Sequence, residues 1–249
     1  RSLTSVTIPD SVTSIGYRAF YNCSGLKSVE IPDSVTSIGK SAFYECTSLK
    51  SVTIGDGVTK IEEYAFSRAG LTSVTIPDSV TKIEEFAFYE CSSLTNVTIG
   101  NGVISIADDA FRDCRSLTSV TIPDSVTSIG SLTFYGCSSL TNVTIPDSVT
   151  SIGNSAFSHC TSLKSVTIPD SVTSIGKSAF AYSSLTSVTI GDGVTKIEEY
   201  AFQGCTSLKS VTIPDSVTSI GESAFSSSGL TSVEIPDSVT TIGDRAFAH

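Results

Sequence analysis

The chain has 249 residues and carries 25 Asp and Glu against 15 Lys and Arg, a formal net charge of -10 at pH 7. Scattered basic residues under a net negative charge exclude a phosphate-neutralising nucleic-acid surface, and no run of about 18 apolar residues is present to cross a bilayer as a helix. Apolar residues make up 39% of the chain, enough for a sizeable core, and the opening RSLTSV is already repeat rather than a readable targeting signal.

Taken in chain order, the sequence writes one unit eleven times. Leu3, Leu26, Leu49, Leu71, Leu94, Leu117, Leu140, Leu163, Leu185, Leu208 and Leu230 recur every 22 or 23 residues, a solenoid period. Each unit follows L-x-x-V-x-I-P-D-S-V-T-x-I-G-x-x-A-F-x-x-C-x-S. In the first unit the apolar positions are Leu3, Val6, Ile8, Val12, Ile15, Ala19 and Phe20. These few side chains cannot close a core alone. Stacked in register on the same positions of neighbouring coils they form continuous columns, each large side chain contributing about 1.5–3 kcal/mol.

Within the unit, the spacing of Val6 and Ile8 is that of a strand with both side chains inward, so Ser5 and Thr7 point out. Pro9 ends the strand because it has no N–H, and Asp10 suits an Asx-type turn. The V-T-S-I segment predicts a second short extended piece, and G-x-x-A-F a helical or 3-10 turn. Eight corners read P-D-S and three read G-D-G or G-N-G, at Gly55, Gly100 and Gly191. Pro and Ser change to Gly together, which marks two alternative turn chemistries. The Gly after the second Ile is replaced by Glu62, Glu84, Ala107 and Glu198, so a left-handed backbone is not obligatory there.

This pattern, quoted from Leu117 as LTSVTIPDSVTSIGSLTFYGC, resembles the BspA-like leucine-rich repeats over the whole chain. Leu132 and Thr133 depart from it in the x-Ala slot. The resemblance implies a right-handed leucine-rich-repeat arc of eleven coils, with a parallel β-sheet on the concave side and short extended segments and 3-10 or helical turns on the convex side. It implies one solenoid domain over residues 1–249. It also implies an extracellular or cell-surface setting, with adhesion to a protein or glycan on a host or neighbouring cell as the function.

Seven cysteines, Cys23, Cys46, Cys91, Cys114, Cys137, Cys160 and Cys205, each follow the repeat Phe by three residues. The number is odd, and no C-x-x-C or His pair accompanies them, so buried packing in a longer turn is expected rather than a disulfide or metal site. The corner Asp recurs in ten units, with Asn101 in the eleventh. Each brings one carboxylate, which suits turn capping better than calcium. A denser group, Glu62, Glu63, Glu84, Glu85, Asp108 and Asp109, is the best metal candidate, although Lys60 and Lys82 lie near enough in sequence to neutralise part of it. No cofactor is implied.

Two surfaces are candidates for binding. The concave face presents Ser5, Thr7, Ser51, Thr53, Asn96, Thr98, Ser119 and Thr121, flanked by Lys27, Lys50, Lys164 and Lys209; it is polar and nearly free of aromatics. The other is an aromatic edge of Tyr21, Tyr44, Tyr64, Phe86, Tyr89 and Tyr135. With only His159 and His249 and no phosphate-cradling loop, an enzyme is not expected. The functional expectation is a non-catalytic recognition or adhesion module. The alternatives are a ligand-free spacer or consensus-like engineered array, and a polysaccharide or ice adsorber using the Ser-x-Thr rows. Repeat residues at both ends suggest a piece of a longer array or end-to-end self-association.

Overall fold

The computed structural model describes residues 3–249. Every coil contributes a two-residue strand from its V-T-x-I segment, from Ser14–Ile15 to Thr241–Ile242, and these pair parallel into a continuous sheet of eleven strands. The register is set by the repeat: Ser14 faces Ser37, Ile15 faces Ile38, and Ile129 lies between Ile106 and Ile152. Eight coils add a longer strand, Ser28–Ile31, Ser51–Ile54, Ser73–Ile76, Asn96–Ile99, Ser119–Thr121, Asn142–Thr144, Ser165–Ile168 and Ser187–Ile190. These group into sheets of two, four and two strands. Their alternating exposure, as in Ser51 out, Val52 in, Thr53 out and Ile54 in, is the period-two pattern of the sequence.

Two expectations are corrected here. Among the described residues there is no helix, neither α nor 3-10; the G-x-x-A-F segment is a run of hydrogen-bonded turns. Furthermore, the first, tenth and eleventh coils have no long strand, so Ser5 and Thr7 lie in irregular backbone. The first and last coils have a neighbour on one side only, which halves the ladder that would hold the segment extended; the tenth has no such explanation.

The turn run has its own ladder. The amides of Ser41, Phe43 and Glu45 donate to the carbonyls of Glu63, Ala65 and Ser67 in the next coil, at 2.8–3.0 Å. The alternate amides of Ala42, Tyr44 and Cys46 donate locally, three residues back. This alternation depends on two left-handed residues per coil: the residue before the Ala, such as Ser41 (φ 57) or Tyr64 (φ 58), and the residue two after the Phe, such as Glu45 (φ 58) or Arg68 (φ 57). Left-handed backbone therefore occurs two residues after the expected glycine position. None of the residues holding it is β-branched, in keeping with the steric cost of that conformation.

Inside, the eleven repeat phenylalanines stack from Phe20 to Phe247, each ring parallel to the next with centroids between 5.0 and 5.6 Å apart. Columns of Leu, Val and Ile run alongside and are fully or nearly fully buried in the interior coils. Thr133, which replaces the repeat Ala, is buried without penalty because its hydroxyl donates to the carbonyls of Gly130 (2.8 Å) and Ala107 (3.2 Å).

The corners confirm two turn chemistries. In P-D-S corners the Ser hydroxyl donates to a Val carbonyl of the preceding coil, as Ser34 does to Val12 and Ser148 to Val126, both at 2.7 Å. In the glycine corners the backbone moves onto that neighbour. A Cβ on Gly57 would sit 1.8 Å from the Asp33 carbonyl oxygen, and the Asp56 amide instead donates to the Asp33 carboxylate at 2.9 Å. Gly57→Ala should therefore cost about 1–3 kcal/mol of stability, whereas the double change Gly55→Pro with Gly57→Ser should regain most of it by restoring the other corner type. Chemical denaturation of the two variants checks this; equal loss in both would show that the corner types are not interchangeable.

Candidate functional site

The aromatic positions converge into one stripe along the turn side of the solenoid. Tyr21 stacks on Tyr44 at 5.1 Å, and Tyr64 on Phe86 at 4.7 Å. The second pair joins the first through a T-shaped contact between Tyr44 and Tyr64, and reaches Tyr89 through another from Phe86. Sequence reasoning missed the cations between the rings. Arg68 lies 5.9 Å from the Tyr44 ring and 6.0 Å from Tyr89, and Arg112 lies 5.8 Å from Tyr89 and 5.1 Å from Tyr135. Beyond Tyr135 the cation is replaced by a ring: His159 sits 5.0 Å from both Tyr135 and Tyr182.

The result is an alternating column, Tyr44, Arg68, Tyr89, Arg112, Tyr135, His159, Tyr182, drawn from seven successive coils. The side chains come from the two positions after the repeat Phe, and the second of these is left-handed wherever Arg68, His159 or Tyr182 supplies the group. The left-handed turn swings that side chain onto the row formed by its neighbours. The signal was present in the sequence as Arg68, Arg112, His159 and Tyr182 at Phe+1 and Phe+2, but it takes the turn geometry to see that these two positions share one row. Glu45 and Glu90 clamp Arg68 at 3.1 and 2.8 Å, fixing its plane. Partial burial raises the Tyr44 and Tyr64 phenols above the ordinary tyrosine range.

Of the six carboxylates considered for metal, four are engaged in ion pairs. Glu84 is held by Lys60 at 2.8 Å and Lys82 at 3.0 Å, Glu63 by Lys40, and Asp109 by Arg112. Glu62 pairs with Lys60, and Asp108 accepts the Ser131 amide at 2.7 Å. Burial works against the charge on Glu84, but the two lysines outweigh it and hold its pKa below the ordinary value. For Asp109 burial wins over Arg112 and the pKa rises. Among the described residues no three His, Cys, Asp or Glu side chains gather in a way that could hold a metal ion.

On the long-strand face, Ser51, Thr53, Asn96, Thr98, Ser119 and Thr121 are exposed in straight rows, as their alternation demands. Lys27, Lys50, Lys164 and Lys209 line one margin of that face and are exposed. Among the described residues, Ser158 and His159 come within 2.9 Å, a hydroxyl beside an imidazole. The Ser158 hydroxyl is buried and donates to the Ala181 carbonyl at 3.0 Å, so its only proton is spent on structure.

The cysteines form a buried column. Cys23 is partly accessible and the other six are buried, all unpaired. Each buried thiol lies within hydrogen-bond reach of the Phe carbonyl of a coil before it, for example Cys46 to Phe20 at 3.1 Å and Cys160 to Phe134 at 3.3 Å. Burial pushes the thiols of Cys46, Cys91 and Cys160 up to about 12 and raises those of Cys114, Cys137 and Cys205. Where the turn is one residue shorter, Ala69, Ser183 and Ser228 take the same place and are buried as well.

Comparison with known proteins places the chain. The model of the BspA type leucine rich repeat region matches residues 1–92, 22–141, 59–175 and 127–249. A leucine rich cell surface protein of Faecalibacterium prausnitzii A2-165 is similar at 34% identity with a TM-score of 0.51, covering 100% of this chain and 86% of that one. A leucine-rich repeat protein of Bacteroides ovatus is similar at 27% identity and a TM-score of 0.65, covering 98% of this chain and 84% of that one. The pneumococcal vaccine antigen PcpA shares the fold at 21% identity and a TM-score of 0.62, over 98% of this chain and 76% of that one. No curated protein matches the chain. Among the described residues no helix is long and apolar enough to cross a membrane.

The thiol column makes two outcomes testable. A native-state thiol reagent should label Cys23 quickly and the other six only on unfolding. Because the folded thiols titrate above the unfolded value of about 8.5, their stabilisation is complete below that pH. It is lost progressively as pH rises toward about 12. A denaturation series across that window should show alkaline destabilisation that Cys114→Ala with Cys137→Ala reduces.

Proposed function

We propose that this chain, which belongs to the BspA-type leucine-rich repeat family, is a non-catalytic recognition module at or outside the cell surface that adheres to a protein or glycan of another surface. The observation that carries this reading is the alternating tyrosine and arginine stripe. Tyr and Arg are the side chains that dominate binding energy at protein interfaces. Here they are held rigid by stacking and ion pairs, so little rotamer freedom remains to be lost on contact. Tyr21 and Tyr182 are 40% and 48% exposed at the two ends of the stripe, and Tyr44, Tyr89 and Tyr135 are half-buried between them.

Support for the setting comes from the relative at 34% identity, a cell surface protein. Affinity in such a module arises from weak contacts repeated over eleven coils, about 50 Å at the strand spacing. The competing reading is a ligand-free spacer, which the uniformity of the Phe column suits equally.

The deciding experiment is binding of the whole chain to a panel of matrix proteins, glycans and whole cells. Wild type should bind at least one of them, and Tyr89→Ser with Tyr135→Ser should weaken that binding about tenfold or more, with little change in melting temperature because both rings are half-exposed. Binding that survives the change rules out the stripe; binding to nothing on the panel shifts the weight to the spacer.

A further inference from the structure

The charge of this protein is concentrated in one place. Ten of its 25 acidic residues are the corner aspartates: Asp10, Asp33, Asp56, Asp78, Asp124, Asp147, Asp170, Asp192, Asp215 and Asp237. The other fifteen equal the Lys and Arg in number. Nine of those fifteen, Glu45, Glu62, Glu63, Glu84, Glu90, Asp109, Asp113, Glu198 and Glu199, have a Lys or Arg within 4.0 Å. Among the described residues no corner Asp has a cation partner, and all ten are exposed. The row thus equals the net charge of -10 in number and holds ten of the sixteen carboxylates that have no cation partner among the described residues.

The parallel sheet sets its density. Equivalent residues on paired strands lie about 4.8 Å apart, closer than the roughly 7 Å at which two unit charges in water interact with thermal energy. Such a line draws small cations to itself and releases them when a polycation takes their place, which favours association and makes it salt-dependent.

The row also has a shaped neighbour. It forms one margin of the long-strand face, where shallow grooves run across several coils. One is lined by Thr144, Thr167 and Thr189 with Asp147, Asp170 and Asp192 at its rim, and a second by Thr53, Thr75 and Thr98 with Asp56, Asp78 and Asn101. A third, over the last two coils, includes Asp215 and Asp237. The strand threonines line these grooves, and among the described residues their hydroxyls have no hydrogen-bond partner, so they are free to meet the backbone of a guest. Lys27, Lys50, Lys164 and Lys209 stand on the opposite margin, and Glu30 and Glu234 add negative charge within the face itself.

We propose that the long-strand face and its aspartate rim form a docking surface for an extended, Lys- and Arg-rich polypeptide segment of a partner protein, laid along the solenoid axis. Its basic side chains lie against the aspartates and its backbone over the threonine rows. This face is separate from the aromatic stripe, and the proposal stands whether or not the stripe binds anything.

The structure supplies a clean test, because Asn101 already stands at one corner in place of Asp, and an Asn side chain keeps an oxygen that can accept the backbone amide of the next coil, as the Asp78 carboxylate accepts the Asn101 amide at 2.6 Å. Asp→Asn thus removes charge while keeping the turn. The probe is a fluorescent peptide of alternating Lys and Ser, about sixteen residues and about 50 Å long when extended, titrated against the full chain by anisotropy at low and physiological salt. Wild type should bind with an affinity that falls steeply as salt is raised. Asp124→Asn with Asp147→Asn and Asp170→Asn should bind about tenfold or more weakly, with a shallower salt dependence and an unchanged melting temperature. A control with equal charge loss on the turn side, Glu85→Gln with Glu199→Gln and Glu222→Gln, should bind like wild type. Absence of binding at low salt overturns the proposal, as does a rim variant that binds like wild type. Equal loss in both variants also overturns it, since that reports overall charge and no site. Because the tyrosines are untouched throughout, the Tyr89→Ser and Tyr135→Ser variant should bind this peptide normally even where it fails on the matrix and cell panel.

Discussion

Everything in this molecule follows from the stacking of one coil on the next with equivalent residues in register. A single coil buries nothing. Two coils bury one face of each, and only the interior ones reach the full burial seen for Phe43 through Phe225. Stability in such a chain is a sum over neighbouring pairs rather than a property of a closed core. That sum requires that each coil present the same surface to its neighbour, which is why the sequence repeats so closely and why its departures are informative.

Those departures are compensated locally. Thr133 replaces an Ala and gives its hydroxyl to two carbonyls. The glycine corners replace Pro and Ser together because the closer backbone leaves no room for a Cβ at Gly57, Gly102 or Gly193. The buried thiols fill a turn that, one residue shorter, is filled by Ala69, Ser183 or Ser228. Three solutions to one local packing problem coexist because the columns beside them do not change.

The same register that builds the core writes rows on the surface. One row is the tyrosine and arginine stripe, another the corner aspartates, a third the strand hydroxyls. They differ in kind. The stripe is internally satisfied by stacking and ion pairing, whereas the aspartate row has acceptors and charge to spare. A solenoid thereby separates, on different sides of one narrow rod, a surface of rigid aromatic anchors and a surface of unbalanced charge. The Faecalibacterium prausnitzii protein to which the chain is similar at 34% identity is a cell surface protein.

The period, the inward Val and Ile, the strand preceding Pro and the burial of the cysteines were all legible in the residues, because each rests on spacing or on local chemistry that one unit already contains. Reading G-x-x-A-F as a helical turn failed for a reason equally local to structure: the amides of Ser41, Phe43 and Glu45 find acceptors in the next coil, and that ladder outcompetes the internal bonds a helix would make. The stripe was half legible. Tyr21, Tyr44, Tyr64, Phe86, Tyr89 and Tyr135 were visible as aromatics at similar places, but Arg68, Arg112, His159 and Tyr182 join them only because a left-handed residue brings two adjacent sequence positions onto one row. Sequence alone thus determined that the coils stack and what each contributes inward, since burial follows from apolar spacing. Tertiary structure alone decided which polar side chains meet across coils, since those meetings depend on backbone direction in the turns and on distances of a few ångströms between residues more than twenty positions apart.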